Sequence, residues 1–319
     1  MVVAYKMLPI VYQRISTYCE VKQWDKREPI PRELLLEWIK DAEGLLVAPH
    51  IQVDEQFLHH ASKLRVIAQS AVGHDNIDID ACTKRKISVG FTPGVVVNAT
   101  ADLTFGLLLS STRRIHEGRE FVRQGYWQQN KNMSFGVDLF GKTLGIVGMG
   151  HIGTAVARRA RPFGLDIIYY NRNRRTDEQE LGISYSPFNE LLARADFIIV
   201  LVPLSPETCG MFGREQFAKM QSTAYFINAA RGKIVDTEAL VEVLVTQKIA
   251  YAAMDVTDPE PLPQNHPLLT LPNVLITPHM GTATTETRIK MVNLTVDNLL
   301  AGLEGRPLPA CVNDELDLK

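Results

Sequence analysis

Three residues in the C-terminal half of the sequence have types suited to chemistry on a carbonyl group: Arg231, Glu260 and His279. Each stands just past a short apolar run. Arg231 follows Phe226-Ile227-Asn228, Glu260 lies in Asp258-Pro259-Glu260-Pro261 beyond Ala253-Met254, and His279 follows Ile276-Thr277-Pro278. If the runs are parallel strands, all three residues gather along one carboxyl edge, where such sheets bind ligands. Imidazole is the natural proton donor near neutral pH. A carboxylate beside it favours its protonated form, and Glu260 is the candidate partner. The guanidinium of Arg231 can meet two oxygens of a carboxylate in one plane, polarise a neighbouring carbonyl and orient it. Hydride reduction of a ketone leaves alkoxide-like charge on oxygen, and a group of this kind would quench it. Singly, each residue has an ordinary account as a surface ion pair, a solvated loop acid or a strand-end histidine.

What tips the balance is Gly148-Met149-Gly150-His151-Ile152-Gly153, a G-x-G-x-x-G between the apolar run Thr143–Val147 and the helical pattern Thr154–Ala160. Strand, glycine turn and helix in that order form a dinucleotide-binding fingerprint. Gly148 permits the tight turn, Gly150 lets the backbone approach a pyrophosphate, and Gly153 lets the helix pack on the strand. The helix N-terminus offers N–H groups and partial positive charge to the phosphates. An NAD site usually carries an acid at the end of the next strand. Here that place reads Tyr170-Asn171-Arg172-Asn173-Arg174-Arg175. Asn171 removes the charge that would repel a 2′-phosphate, and Arg172, Arg174 and Arg175 could bind one. The expected cofactor is NADP(H), preferred over NAD(H); the other reading is a solvated basic loop.

The elements that must hold these residues read as α/β. Runs at 44–48, 64–68 and 87–91 look like buried strands, with a first strand near Val2–Pro9. Asp54 and Asp78 open the helical patterns between them as caps. Six further strand candidates lie at 143–147, 166–170, 197–201, 224–228, 250–254 and 273–276, separated mostly by helices as in a doubly wound sheet. Two long amphipathic segments, Asn98–Val122 and Thr284–Leu303, read as crossings between two domains. The expected arrangement is a discontinuous substrate domain, 1–98 with 287–319, and a Rossmann dinucleotide domain, 99–286, with a cleft between them.

Bulk properties exclude several classes. A length of 319 residues suits two domains, and 45% hydrophobic with 22% charged residues is ordinary globular composition. A net charge of −2 offers no basic field for nucleic acid or acidic membranes. No apolar run approaches the roughly 20 residues of a spanning helix, and the N-terminal residues do not read as a signal peptide. Cys19, Cys82, Cys209 and Cys311 lack metal-type spacing. No metal site is expected, and the setting reads as cytoplasmic.

Across nearly its whole length the chain resembles the D-isomer-specific 2-hydroxyacid dehydrogenase family, the glyoxylate, hydroxypyruvate and 2-ketogluconate reductases above all. The likeness rests on Ser70-Ala71-Val72-Gly73-His74-Asp75-Asn76-Ile77-Asp78, Thr100-Ala101-Asp102, the Gly148–Gly153 turn, Asn228–Gly232, Asp255–Pro261 and Pro278-His279. It implies a flavodoxin-like α/β substrate domain beside the Rossmann domain, with Arg231, Glu260 and His279 as the catalytic trio. It implies that backbone N–H groups of Val72, Gly73 and His74 hold a substrate carboxylate. Thr100 and Asp255 would stand near the nicotinamide, Pro203 and Thr208 near the adenosine, and Ala229 and His279 among the other cofactor contacts. A homodimer through the helix from Asn98 and the arm carrying Tyr126, Trp127, Phe135 and Phe140 is also implied. The expected reaction takes a small 2-keto acid and NADPH to the D-2-hydroxy acid, with domain closure excluding water. Two other readings stand beside it. One is a nucleotide-sensing, corepressor-like interaction protein, for which no basic surface or long recruitment tail is evident. The other is a hydride-transfer dehydrogenase of the phosphite or formate kind. Formate oxidation releases no substrate proton, so a neutral Gln could stand beside the histidine; Glu260 argues against that chemistry.

Overall fold

In the computed structural model, which describes residues 1–7 and 9–314, the chain divides into two units, 1–96 with 284–319 and 97–283. Among the described residues the smaller unit has strands β1 (Val2–Val3), β2 (Lys22–Gln23), β3 (Gly44–Val47), β4 (Val66–Gln69) and β5 (Ser88–Gly90). They pair in the order β2-β1-β3-β4-β5, all parallel. That is the flavodoxin-like doubly wound order. Every residue of β3 and β4 is buried, which is why these strands read as continuous apolar runs rather than alternating ones. Between the strands run α1 (Pro9–Ser16), α2 (Arg32–Ile39), α3 (Glu55–His60) and α4 (Ile79–Lys84). Asp54 accepts the Phe57 N–H and Asp78 the Ala81 N–H, so both expected caps are made.

The larger unit carries a seven-stranded parallel sheet. Its strands are β6 (Thr143–Val147), β7 (Asp166–Tyr170), β8 (Ser184–Tyr185), β9 (Phe197–Val200), β10 (Tyr225–Asn228), β11 (Tyr251–Met254) and β12 (Val274–Ile276). They lie in the order β12-β11-β10-β9-β6-β7-β8. The direction of winding reverses between β6 and β9, and the carboxyl ends of those strands flank the crevice such sheets use for ligands. The helices are α5 (Val97–Thr112), α6 (Ile115–Arg123), α7 (His151–Ala160), α8 (Glu178–Leu181), α9 (Phe188–Arg194), α10 (Arg214–Lys219) and α11 (Thr237–Val245). One face of the sheet buries Leu144, Ile146, Phe197 and Ile199 with Leu107, Leu108 and Val156. The other buries Val147, Ile198 and Phe226 with Leu191, Phe217 and Leu240. At about 1.5–3 kcal/mol for each fully buried large apolar side chain, these two layers make the sheet a rigid platform for its carboxyl-edge loops. A final helix, α12 (Thr285–Leu303), belongs to the smaller unit and packs on β3 and β4. Gly302 allows this, since a Cβ there would lie 2.5 Å from Val66 Cγ2. Among the described residues no helix is long and apolar enough to cross a membrane.

Three expectations need correction, and two short strands are added. The segment Asn98–Val122 is two helices, interrupted at Arg114, whose φ is 54°. The cause is the returning arm: Val137 N–H takes the Thr112 carbonyl at 2.9 Å, and Gly136 packs against the same oxygen. The helix after the glycine turn starts at His151 rather than Thr154, so Gly153 lies inside its first turn. The first strand is only Val2–Val3. The two-residue strands β2 and β8 are additions, too short to carry a periodic signal.

Candidate active site

The turn after β6 leaves no room for side chains where glycine is required. Gly148 has φ 105°, and a Cβ there would stand 2.6 Å from the Leu201 carbonyl carbon; one on Gly153 would stand 2.3 Å from the Gly148 oxygen. At Gly150 the equivalent position has nothing within 4 Å. Two glycines thus fold the turn tightly while the third faces open space at the start of α7, whose first N–H groups have no partner within the helix. Met149 is buried, whereas His151 is exposed at the helix start and Ile152 half-buried. These features fit a dinucleotide pyrophosphate.

Past β7 the basic segment is more engaged than its composition suggests. Asn171 Oδ1 accepts the Met149 N–H at 2.7 Å, and Arg175 donates to the Met149 carbonyl at 2.9 Å. Both backbone groups of one turn residue are therefore clamped from the neighbouring strand end. Arg175 is also paired with Asp177, and Arg174 forms two bonds of 2.8 and 2.7 Å to Glu178. Any phosphate at Arg174 has to compete with that carboxylate. Arg172 makes no salt bridge among the described residues, but its charge acts on the Glu207 carboxyl of the turn after β9 and helps to lower it.

At the other end of the carboxyl edge, the turn after β10 carries Arg231. Buried Asn228 shapes it: its amide donates to the Arg231 carbonyl at 2.9 Å and its Oδ1 accepts the Ala230 N–H at 3.0 Å. Gly232 lets this turn touch the next one, because a Cβ there would overlap Thr257 at 2.0 Å. The turn past β11 holds Glu260, whose Oε2 accepts the Thr257 N–H at 3.2 Å. Its Oε1 meets His279 Nδ1 at 2.6 Å. Burial pushes the Glu260 carboxyl up, but the bond and charge of His279, the Thr257 N–H and the charge of Arg231 together hold it below the ordinary carboxylate value. Near neutral pH it is therefore ionised and can only accept, so Nδ1 carries the hydrogen and Nε2 is the nitrogen left for exchange with a substrate.

His279 itself sits in the left-handed region, φ 49°, a conformation that surrounding structure must enforce in a non-glycine residue. Asp255 enforces it. This buried carboxylate accepts Thr277 Oγ1 at 2.6 Å, the Met280 N–H at 2.8 Å and the Gly281 N–H at 2.8 Å, one bond before His279 and two after. Thr100, buried on α5, lies against the same turn, its methyl 3.5 Å from where a Gly281 Cβ would be. Ala229 is half-buried in the Arg231 turn. Thr208 closes a separate turn after β9, donating to the Pro203 carbonyl at 2.7 Å.

In the smaller unit, Val72, Gly73 and His74 form the turn that follows β4. Among the described residues no acceptor takes any of their three N–H groups. Successive unbonded amides of this kind make an anion-binding concavity.

Sequence reasoning gave Asp255 only a place near the nicotinamide and gave Asn228 no role of its own. Their partners on the His279 and Arg231 turns define what they do. Asp177 and Glu178, which pair with the arginines, were readable: they stand two and four residues past Arg175 and Arg174.

A family model described as D-isomer specific 2-hydroxyacid dehydrogenase, NAD binding domain, matches residues 105–281. The chain is 43% identical over 306 residues to a glyoxylate reductase of Korarchaeum cryptofilum, covering 95% of this chain and 92% of that protein. Its structure resembles that of a glyoxylate reductase from Paecilomyes thermophila, with a TM-score of 0.89, 33% identity and 98% of each chain covered. It also resembles an NADPH-dependent glyoxylate/hydroxypyruvate reductase from Sinorhizobium meliloti solved with NADP and malonate. That match has a TM-score of 0.87 and 30% identity, covering 98% of this chain and 96% of that one.

Proposed function

The chain belongs to the D-isomer specific 2-hydroxyacid dehydrogenase family, and from that premise we propose that it reduces glyoxylate, hydroxypyruvate or 2-ketogluconate to the D-2-hydroxy acid. The observation that carries the reading is the 2.6 Å contact between His279 Nδ1 and Glu260 Oε1, on the same sheet edge as the glycine turn. When bound, the reduced nicotinamide supplies a hydride to the carbonyl carbon of the substrate. His279 Nε2 delivers the proton to the carbonyl oxygen, and Glu260 stabilises the cationic imidazole that precedes the transfer. Arg231 polarises the carbonyl and takes part in holding the substrate. The amides of Val72, Gly73 and His74 hold its carboxylate. Thr100 and Asp255 serve the nicotinamide end, Pro203 and Thr208 the adenosine, and Ala229 is a further cofactor contact.

The cofactor in this reading is NADP(H) in preference to NAD(H). Support comes from the neutral Asn171 and from Arg172, which makes no salt bridge among the described residues and whose charge acts only at longer range on Glu207. Arg174 joins only if Glu178 yields it. The reading includes a cytoplasmic setting, to which the thiols of Cys19, Cys82 and Cys209 are suited. It also includes a homodimer, supported by the exposed Trp127, Phe135 and Phe140 of the arm; a monomeric mass by light scattering would remove it. The activity is tested by following NADPH loss with each of the three keto acids and repeating with NADH. Turnover favouring NADPH supports the reading. Cofactor binding with no turnover on any of them overturns it.

A further inference from the structure

Beneath the turn that carries Val72, Gly73 and His74, two buried amide side chains close a ring. Gln69 Nε2 donates to Asn76 Oδ1 at 2.9 Å, and Asn76 Nδ2 donates back to Gln69 Oε1 at 2.9 Å. Each amide gives its other N–H to the backbone: Gln69 to the Gly73 carbonyl at 2.5 Å, Asn76 to the Ile51 carbonyl at 2.8 Å. Gln69 is 0% and Asn76 4% exposed. All four N–H groups are satisfied, and at such depth each bond is strong and its loss costly.

The consequence for the turn follows from peptide planarity. In a trans peptide the carbonyl of one residue points opposite to the N–H of the next, so pinning a carbonyl aims the following amide. The Ala71 carbonyl is held by the Thr92 N–H at 2.9 Å, which aims the Val72 amide. The Val72 carbonyl meets His74 Nδ1 at 3.3 Å, which aims the Gly73 amide. The Gly73 carbonyl is held by Gln69, which aims the His74 amide. Only the last of these pins is a fully buried side chain, and it is itself locked by Asn76.

We infer that Gln69, fixed by Asn76, is a positioning residue that sets the His74 amide and through it the affinity for the substrate carboxylate. The inference rests on the reading that these amides hold that carboxylate. Its test compares glyoxylate with its methyl ester at saturating NADPH, in the wild type and in Gln69→Met, with NADPH affinity measured separately by fluorescence titration. Methionine matches the length and keeps the site filled but cannot donate. The expected result is a rise in the glyoxylate KM of about tenfold or more, with kcat within about threefold, the ester unaffected and NADPH affinity unchanged. A merely structural role would lower thermal stability without changing the KM of the folded enzyme, and an unchanged glyoxylate KM overturns the inference while leaving the functional reading intact. Equal losses for acid and ester overturn it as well. A wild type that does not distinguish acid from ester removes both. Should Gln69→Met not fold, Gln69→Asn, which keeps the amide but shortens its reach, gives the same readout.

Discussion

Replacing Asp255 by asparagine changes one atom and tests how the His279 turn is held. Asp255 accepts three hydrogen bonds through two oxygens, from Thr277 Oγ1, Met280 N–H and Gly281 N–H. An amide that keeps its oxygen toward Thr277 and Met280 must turn its NH2 toward the Gly281 N–H. One bond to a charged acceptor is lost, worth about 1.5–3 kcal/mol, and a buried N–H is left facing another donor. Together these amount to about 2–4 kcal/mol. The strain of His279 at φ 49°, of order 1–3 kcal/mol, is comparable, so the turn is free to relax and move the imidazole off Glu260. If that whole loss falls on the transition state, kcat/KM drops by roughly 30- to 1000-fold at about 1.4 kcal/mol per factor of ten. Steady-state kinetics with NADPH and the best keto acid measure this, with a thermal melt to show that the variant folds. A folded Asp255→Asn within about threefold of wild type would refute the idea that three bonds to one carboxylate hold the catalytic turn.

Other expectations follow from the same geometry. Because the folded-state value of Glu260 lies below its ordinary one, its contribution to stability is fully present above the ordinary carboxylate range and is lost as pH falls through the folded value. The difference in melting temperature between wild type and Glu260→Gln should therefore shrink as the solution is made acid; a difference that stays unchanged down through the carboxylate range would contradict it. Arg172→Ala should raise the KM for NADPH about tenfold or more while leaving NADH within about twofold, as loss of a charge-assisted phosphate contact requires; parallel losses with both cofactors would move the 2′-phosphate elsewhere. Gly153→Ala places a methyl 2.3 Å from the Gly148 oxygen. It should weaken both cofactors and cost about 1–3 kcal/mol of stability, read by titration and denaturant unfolding; unchanged binding would mean that the turn yields without cost.

What could be read in advance was local. The glycine spacing, the Asp54 and Asp78 caps and the apolar runs of the two sheets depend on neighbours a few residues away, and the structure has them where the pattern put them. What could not be read depends on distant partners. Asp255 finds its donors 22 to 26 residues later, and the break at Arg114 is set by Gly136 and Val137 returning to Thr112. The strand β8 has two residues and takes its place from pairing with β7. Gln69 and Asn76 are only seven residues apart, yet nothing in their types announces a buried ring rather than two solvated amides. The basic loop was read by its sign alone, and the carboxylates of Asp177 and Glu178 had to be weighed with it.

The most direct test of the account is His279→Ala, assayed for keto acid reduction and for NADPH binding in the same preparation. The geometry predicts a kcat lowered by about 10² to 10⁴, the usual worth of a positioned general acid, with NADPH affinity within about threefold of wild type. Wild-type turnover in that variant, or loss of NADPH binding together with activity, would contradict the assignment of His279 as the proton donor.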